Sequence, residues 1–114
     1  MPDCIFCKIA AKQIPAALVY EDQEILAFND IHPAAPVHVL VIPRRHIANL
    51  NEAVPGDAPL LGRLFEVAAR VAKERGVDES GWRATVNVGD DAGLLVHHVH
   101  LHLMGGRQLG WPPG

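Results

Sequence analysis

Residues 96–104, Val96-His97-His98-Val99-His100-Leu101-His102-Leu103-Met104, constrain the fold of this chain more than any other stretch. His98, His100 and His102 alternate with Val99, Leu101 and Leu103. A period of two belongs to a β-strand and not to a helix. The pattern predicts a strand over 96–104 with one imidazole face and one aliphatic face. The aliphatic face can be buried against a helix, leaving imidazoles ~6.6 Å apart along the strand. An exposed strand face has no reason to repeat the one side chain that titrates near neutrality, so the row reads as chemistry. His97 falls on the aliphatic side and reads as a core histidine.

The remaining elements follow in chain order. Asp3 can cap a short helix over 4–11, which Pro15 prevents from running on. Residues 17–20 and 24–28 read as strands of a hairpin joined by Glu21-Asp22-Gln23. Residues 29–36 form a proline-punctuated loop, and 37–42 form a third strand carrying His38 and closed by Pro43. Arg44-Arg45-His46 begins a turn or a short helix, and 51–56 is a loop. Asp57 caps the one long helix, in which Leu60, Leu61, Leu64, Val67, Ala68 and Val71 make an apolar stripe. Gly76 ends it. A fourth strand is expected over 82–88. Hairpin-length connections between most strands favour an antiparallel sheet with the main helix on one face, an α+β arrangement.

Composition narrows the classes. A chain of 114 residues with 49% hydrophobic and 20% charged residues is expected to fold as a single domain, 1–114, with an irregular tail over 105–114. A net charge of −3, no basic run and few aromatics argue against a nucleic-acid partner. No stretch reaches the length of a bilayer span, and the N-terminus lacks the regions of a signal peptide. A cytoplasmic, reducing location is the expectation.

The histidine strand admits three chemistries. Imidazoles two apart on a strand can share a zinc ion. One imidazole can instead act as a nucleophile while its neighbours orient it and bind charge. The third reading is binding without turnover. Attack on phosphorus suits histidine, because the neutral ring is nucleophilic at neutral pH and further imidazoles can bind charge on the equatorial oxygens. No glycine-rich phosphate loop is present. Cys4 and Cys7, spaced C-x-x-C, read as half of a zinc site, with a redox pair or a packed pair of small residues as the alternatives.

His98-Val99-His100-Leu101-His102-Leu103-Met104 resembles the motif H-φ-H-φ-H-φ-φ of the histidine triad (HIT) nucleotide hydrolases and transferases. The resemblance extends through Asp3-Cys4-Ile5-Phe6-Cys7-Lys8-Ile9, Asn29-Asp30-Ile31-His32-Pro33, Val41-Ile42-Pro43-Arg44-Arg45-His46, Asn87-Val88-Gly89 and Gly105-Gly106-Arg107. The ending Trp111-Pro112-Pro113-Gly114 resembles the Hint branch of purine nucleoside phosphoramidases.

The resemblance implies a five-stranded antiparallel sheet with one long and one short helix, its sheets joined across a homodimer. It implies that His100 is the nucleophile, forming a nucleotidyl-histidine that water hydrolyses. His102 and His38 match histidines that contact the phosphate and leaving-group region, and His98 matches one that supports the site or ligates zinc. Asp30 matches the acid that hydrogen-bonds the ribose hydroxyls, and Asn87 matches a phosphate-side amide. Ile31, Phe28 and Leu50 lie where the family packs its base, and Trp111 matches a tail residue that reaches the partner's site. In the metal-bearing branch, His46 and His98 join Cys4 and Cys7 as ligands of a structural zinc, with His97 as the alternative. No organic cofactor is implied.

One departure stands out. The Hint-like pattern has Gly-Gln-Ser or Gly-Gln-Thr before the triad, and this chain has Gly93-Leu94-Leu95. Leucine supplies no hydrogen bond to a phosphate or leaving group. The expected function is therefore slow hydrolysis of the P–N bond of purine nucleoside 5′-phosphoramidates through His100. The alternatives are a zinc-stabilised nucleotide-binding protein with little turnover and a dinucleoside polyphosphate hydrolase.

Overall fold

The computed structural model describes residues 3–114 of the chain; the reading of Met1 and Pro2 as part of the N-terminus lies outside them. Helix α1 is Ile5–Ala10 and helix α2 is Ala58–Glu74. The strands are β1 (Leu18–Glu21), β2 (Ile25–Asn29), β3 (Val37–Pro43), β4 (Trp82–Thr85) and β5 (Leu101–Gly105). They form a five-stranded sheet in the order β1-β2-β3-β5-β4, with every neighbouring pair antiparallel. This is the expected α+β fold. No helix among the described residues is long and apolar enough to cross a membrane.

Period-two patterning divides the sheet into two faces. Ile25, Ala27, Val37, Val39, Val41, Leu101 and Leu103 point to one face, where α2 buries Leu64, Val67, Ala68, Val71 and Ala72 against them. Each of the larger side chains contributes about 1.5–3 kcal/mol by leaving water. The helix ends where Gly76, at φ 75°, lets its own amide and that of Val77 turn back onto the carbonyls of Lys73 and Ala72. The opposite face carries Leu26, Phe28, Leu40 and Ile42, and α1 packs Phe6 and Ile9 onto it. His38 and His102 share this second face by register, since Leu40 stands opposite His102.

Turn chemistry fixes the β1–β2 hairpin. Asp22 Oδ1 accepts the amides of Glu24 and Ile25, both at 2.8 Å, and Tyr20 donates its hydroxyl to Oδ2. Burial would raise this carboxyl, yet those hydrogen bonds and the Arg63 guanidinium hold it down at about 2.

Five expectations are corrected. The fifth strand starts at Leu101 and not at residue 96. Its partner β3 pairs with it only as far as Val41↔Leu101, and β4 ends at Thr85↔His102. Before that point no ladder is available, and the amide of Val99 instead donates to the carbonyl of Ile47 at 2.6 Å. The fourth strand stops at Thr85 for the same reason. His97 is exposed and not a core residue, because the stretch before Leu101 does not keep the strand alternation. The cap of α1 is Cys4 and not Asp3: the Cys4 sulfur accepts the Cys7 amide at 3.3 Å. Asp57 does precede α2, but its carboxylate accepts the Val54 amide and pairs with Arg45 instead of capping the helix.

Candidate active site and metal centre

The segment running into β5 brings two clusters together. The first contains Cys4, Cys7, His46 and His98, whose candidate ligand atoms all lie within 4.8 Å of one another. Cys4 Sγ is 3.4 Å from His98 Nδ1, and Cys7 Sγ is 3.3 Å from His46 Nδ1 and 3.5 Å from His98 Nδ1. The two Nδ1 atoms are 3.2 Å apart. A tetrahedral ion with Zn–N near 2.05 Å and Zn–S near 2.3 Å would place N and S about 3.6 Å apart and two N atoms about 3.3 Å apart. The donor set and its spacing therefore fit zinc.

The tautomer fits as well. His98 is fully buried and donates Nε2–H to the carbonyl of Pro43 at 2.8 Å, so Nδ1 keeps its lone pair towards the cluster. Burial pushes the histidines of this cluster towards the neutral, ligating form and raises the Cys7 thiol, which Cys4 beside it raises further. A divalent cation would reverse that effect on the thiols, since it favours thiolate. On its outer side the cluster borders a cavity of about 450 Å³, which Cys4, His46 and the exposed His97 help to line.

The second cluster faces a cavity of about 430 Å³. His100 and His102 line it, together with Phe6, Phe28, Asp30, Ile31, Asn87, Leu94 and Leu95. His100 is buried and donates Nδ1–H to the backbone oxygen of His98 at 2.7 Å. That bond leaves Nε2 as the atom with the free lone pair.

A second chain of hydrogen bonds assigns the next two rings. The amide of Ala34 donates to His38 Nδ1 at 2.9 Å, so His38 carries its proton on Nε2. His38 Nε2 lies 2.9 Å from His102 Nδ1 and 3.4 Å from Asp30 Oδ2. Donation to His102 leaves that ring with a proton on Nε2, a donor for a ligand in the cavity. Burial, and then the rings of His100 and His38, hold His102 down at about 4. Burial likewise lowers His100. Both are therefore neutral near pH 7.

The structure thus assembles His38, His98, His100 and His102, sets Phe28, Asp30, Ile31 and Asn87 along the same cavity as His100, and brings Cys4, Cys7 and His46 to His98. Leu50, in a 3₁₀ turn, and Trp111, 81% exposed, do not line that cavity. Sequence reasoning missed Phe6, whose ring centroid is 5.0 Å from that of His100. It also missed the backbone partners Ala34 and Pro43. The signal for Phe6 was its place between the two cysteines; the backbone partners left none.

Comparison with known proteins places this arrangement. The family model described as "Scavenger mRNA decapping enzyme C-term binding" matches residues 3–110. The chain is 50% identical over 112 residues to an uncharacterized HIT-like protein of Synechococcus elongatus, covering 98% of this chain and 97% of the relative. It is 48% identical to a 14 kDa zinc-binding protein of Brassica juncea, over 98% of this chain and all (100%) of that protein. The crystal structure of a HIT family hydrolase from Legionella pneumophila superposes with a TM-score of 0.96 at 49% identity, covering 98% of this chain and 100% of the other. The chain belongs to the histidine triad (HIT) family.

Proposed function

We propose that the protein is a nucleotide hydrolase that cleaves the P–N bond of purine nucleoside 5′-phosphoramidates through His100. The observation that carries this reading is the bond from His100 Nδ1–H to the His98 carbonyl, which leaves a neutral Nε2 beside the cavity. In the first step Nε2 attacks the α-phosphorus, forming an N–P bond as the P–N bond to the leaving amine breaks. The nitrogen departs as a neutral amine, carrying with it the proton it holds in the protonated phosphoramidate, while His102 Nε2–H donates a hydrogen bond to the phosphoryl oxygens and His38 holds its other nitrogen. Asp30 is the acceptor for the ribose hydroxyls, Asn87 contacts the phosphate, and Phe28 and Ile31 pack the base. Water then attacks the nucleotidyl-His100, releasing the monophosphate and restoring the ring.

The four-ligand cluster in this reading holds a structural zinc through Cys4, Cys7, His46 and His98. The ion would fix α1 and the triad segment against one another and supply no step of the reaction. The reading takes residues 1–114 as one domain with a tail over 105–114, Leu50 as a base-packing residue, and a homodimer in which Trp111 reaches the partner's site.

AMP release from adenosine 5′-phosphoramidate, measured for wild type and His100→Ala, tests it. Turnover in wild type alone supports the reading; equal turnover in both overturns it. Leu94 and Leu95, where polar groups would assist, favour a second reading in which the site binds nucleotide with little turnover. Wild type that binds AMP but releases none from the phosphoramidate would establish the second.

A further inference from the structure

The proposed reaction occupies most of the wall of the His100 cavity. The nucleoside takes Phe28, Asp30 and Ile31, and the phosphoryl group takes His100, His102 and Asn87. What remains for the leaving group is the stretch 93–96 together with Ile5, the first residue of α1. That wall is apolar. Leu94 is buried and anchors the stretch, while Leu95 is 88% exposed and Ile5 47%.

Leu95, Ile5 and Val96 also line the second cavity, of about 450 Å³, beside the thiol–imidazole cluster. The two cavities therefore adjoin across these three side chains. A group departing along this wall has an aliphatic ridge to lie on and space beyond it. The charge of the surroundings narrows what that group can be. Among the described residues no lysine or arginine lines either cavity, whereas the carboxylates Asp30 and Asp3 do. A leaving group bearing carboxylate or further phosphates would meet like charge with no cation to pair with it. An aliphatic chain would instead cover apolar surface that now faces water.

We propose that Leu95, with Ile5 and Val96, forms a leaving-group subsite that selects amines carrying a neutral aliphatic chain over small or anionic ones. The proposal rests on the P–N hydrolase reading for what departs from phosphorus, but the apolar contact itself requires no turnover.

The test uses the full chain with zinc supplied and the variant His100→Gln, which cannot form the covalent intermediate. Calorimetry compares adenosine 5′-phosphoramidate with its N-hexyl and N-(5-carboxypentyl) derivatives. The hexyl compound should bind ~10-fold tighter than the unsubstituted one, and the carboxypentyl compound within ~3-fold of the unsubstituted one. Adding Leu95→Ser, a change at a side chain mostly in solvent, should cut the hexyl advantage to ~2-fold. In wild type the ratio of kcat/KM for the hexyl and unsubstituted substrates should follow the same pattern. Equal affinity for the hexyl and unsubstituted compounds overturns the proposal, and turnover of both in wild type would then leave the hydrolase standing. A hexyl advantage that survives Leu95→Ser, or is matched by the carboxypentyl compound, overturns it too. Wild type that turns over none of the three, with the affinity pattern intact, would overturn the hydrolase reading and uphold the subsite.

Discussion

His98 binds in two directions: its Nδ1 faces Cys4 and Cys7 at 3.4 and 3.5 Å, while its backbone oxygen accepts Nδ1–H of His100 at 2.7 Å. One residue therefore joins the thiol–imidazole cluster to the ring expected to react. The carbonyl that sets the tautomer of His100 therefore belongs to a member of that cluster.

The first prediction concerns metal. Chelation, or Cys7→Ser, should remove one zinc per chain and lower Tm, because binding free energy at a structural zinc site is also folding free energy. Metal analysis and a thermal melt with and without chelator check this. Protein that keeps its Tm on losing zinc would contradict a structural role.

Acid should destabilise the fold. Burial holds His98, His100 and His102 below the ordinary histidine value of about 6.5, with His102 at about 4. As pH falls below that ordinary value the unfolded chain binds these protons first, so the equilibrium shifts towards it. Stability is full above about pH 6.5 and declines as pH drops towards 4. Melts across that window should show a falling Tm, with a shallower fall in His102→Gln. A Tm that rises on acidification would be the wrong sign.

The two leucines supply the third prediction. Leu94 is buried and Leu95 is 88% exposed, and both line the cavity of His100. One missing donor near a scissile bond costs about 3 kcal/mol, about a hundredfold in rate. Replacing the pair with Gln-Ser should raise kcat on nucleoside phosphoramidates by ~10-fold or more. No gain would show that the leucines do not limit turnover.

Much of this was legible because patterning is local. The stripe of α2, the β1–β2 hairpin and the triad itself rest on spacing, and spacing survives folding. The start of β5 was not legible. Whether His98, Val99 and His100 join a ladder depends on how far β3 and β4 extend beside them, and that is set by residues far away in the chain. Cys4 as the cap of α1 was not legible either, because a thiol took the role that the neighbouring carboxylate of Asp3 would ordinarily fill. The amide of Ala34 on His38 and the carbonyl of Pro43 on His98 are backbone groups, identical in every residue, so no side-chain pattern announces them.

The core offers a prediction independent of the site. Leu64, 1% exposed, fills the space between α2 and the sheet, and Leu64→Ala should cost about 2–5 kcal/mol. Denaturant unfolding measures it, with metal content held constant. A loss below 1 kcal/mol would mean that the helix repacks onto the sheet.

The central claim is that His100 Nε2 becomes bonded to phosphorus. The most direct measurement is a rapid acid-free quench of wild type with adenosine 5′-phosphoramidate, followed by peptide mass analysis. The account predicts one adenylyl group on the peptide containing His100, absent in His100→Ala and lost again as AMP appears. An adenylyl group on a different residue, or AMP formed at full rate with no such adduct in a protein that also turns over as His100→Ala, would contradict it.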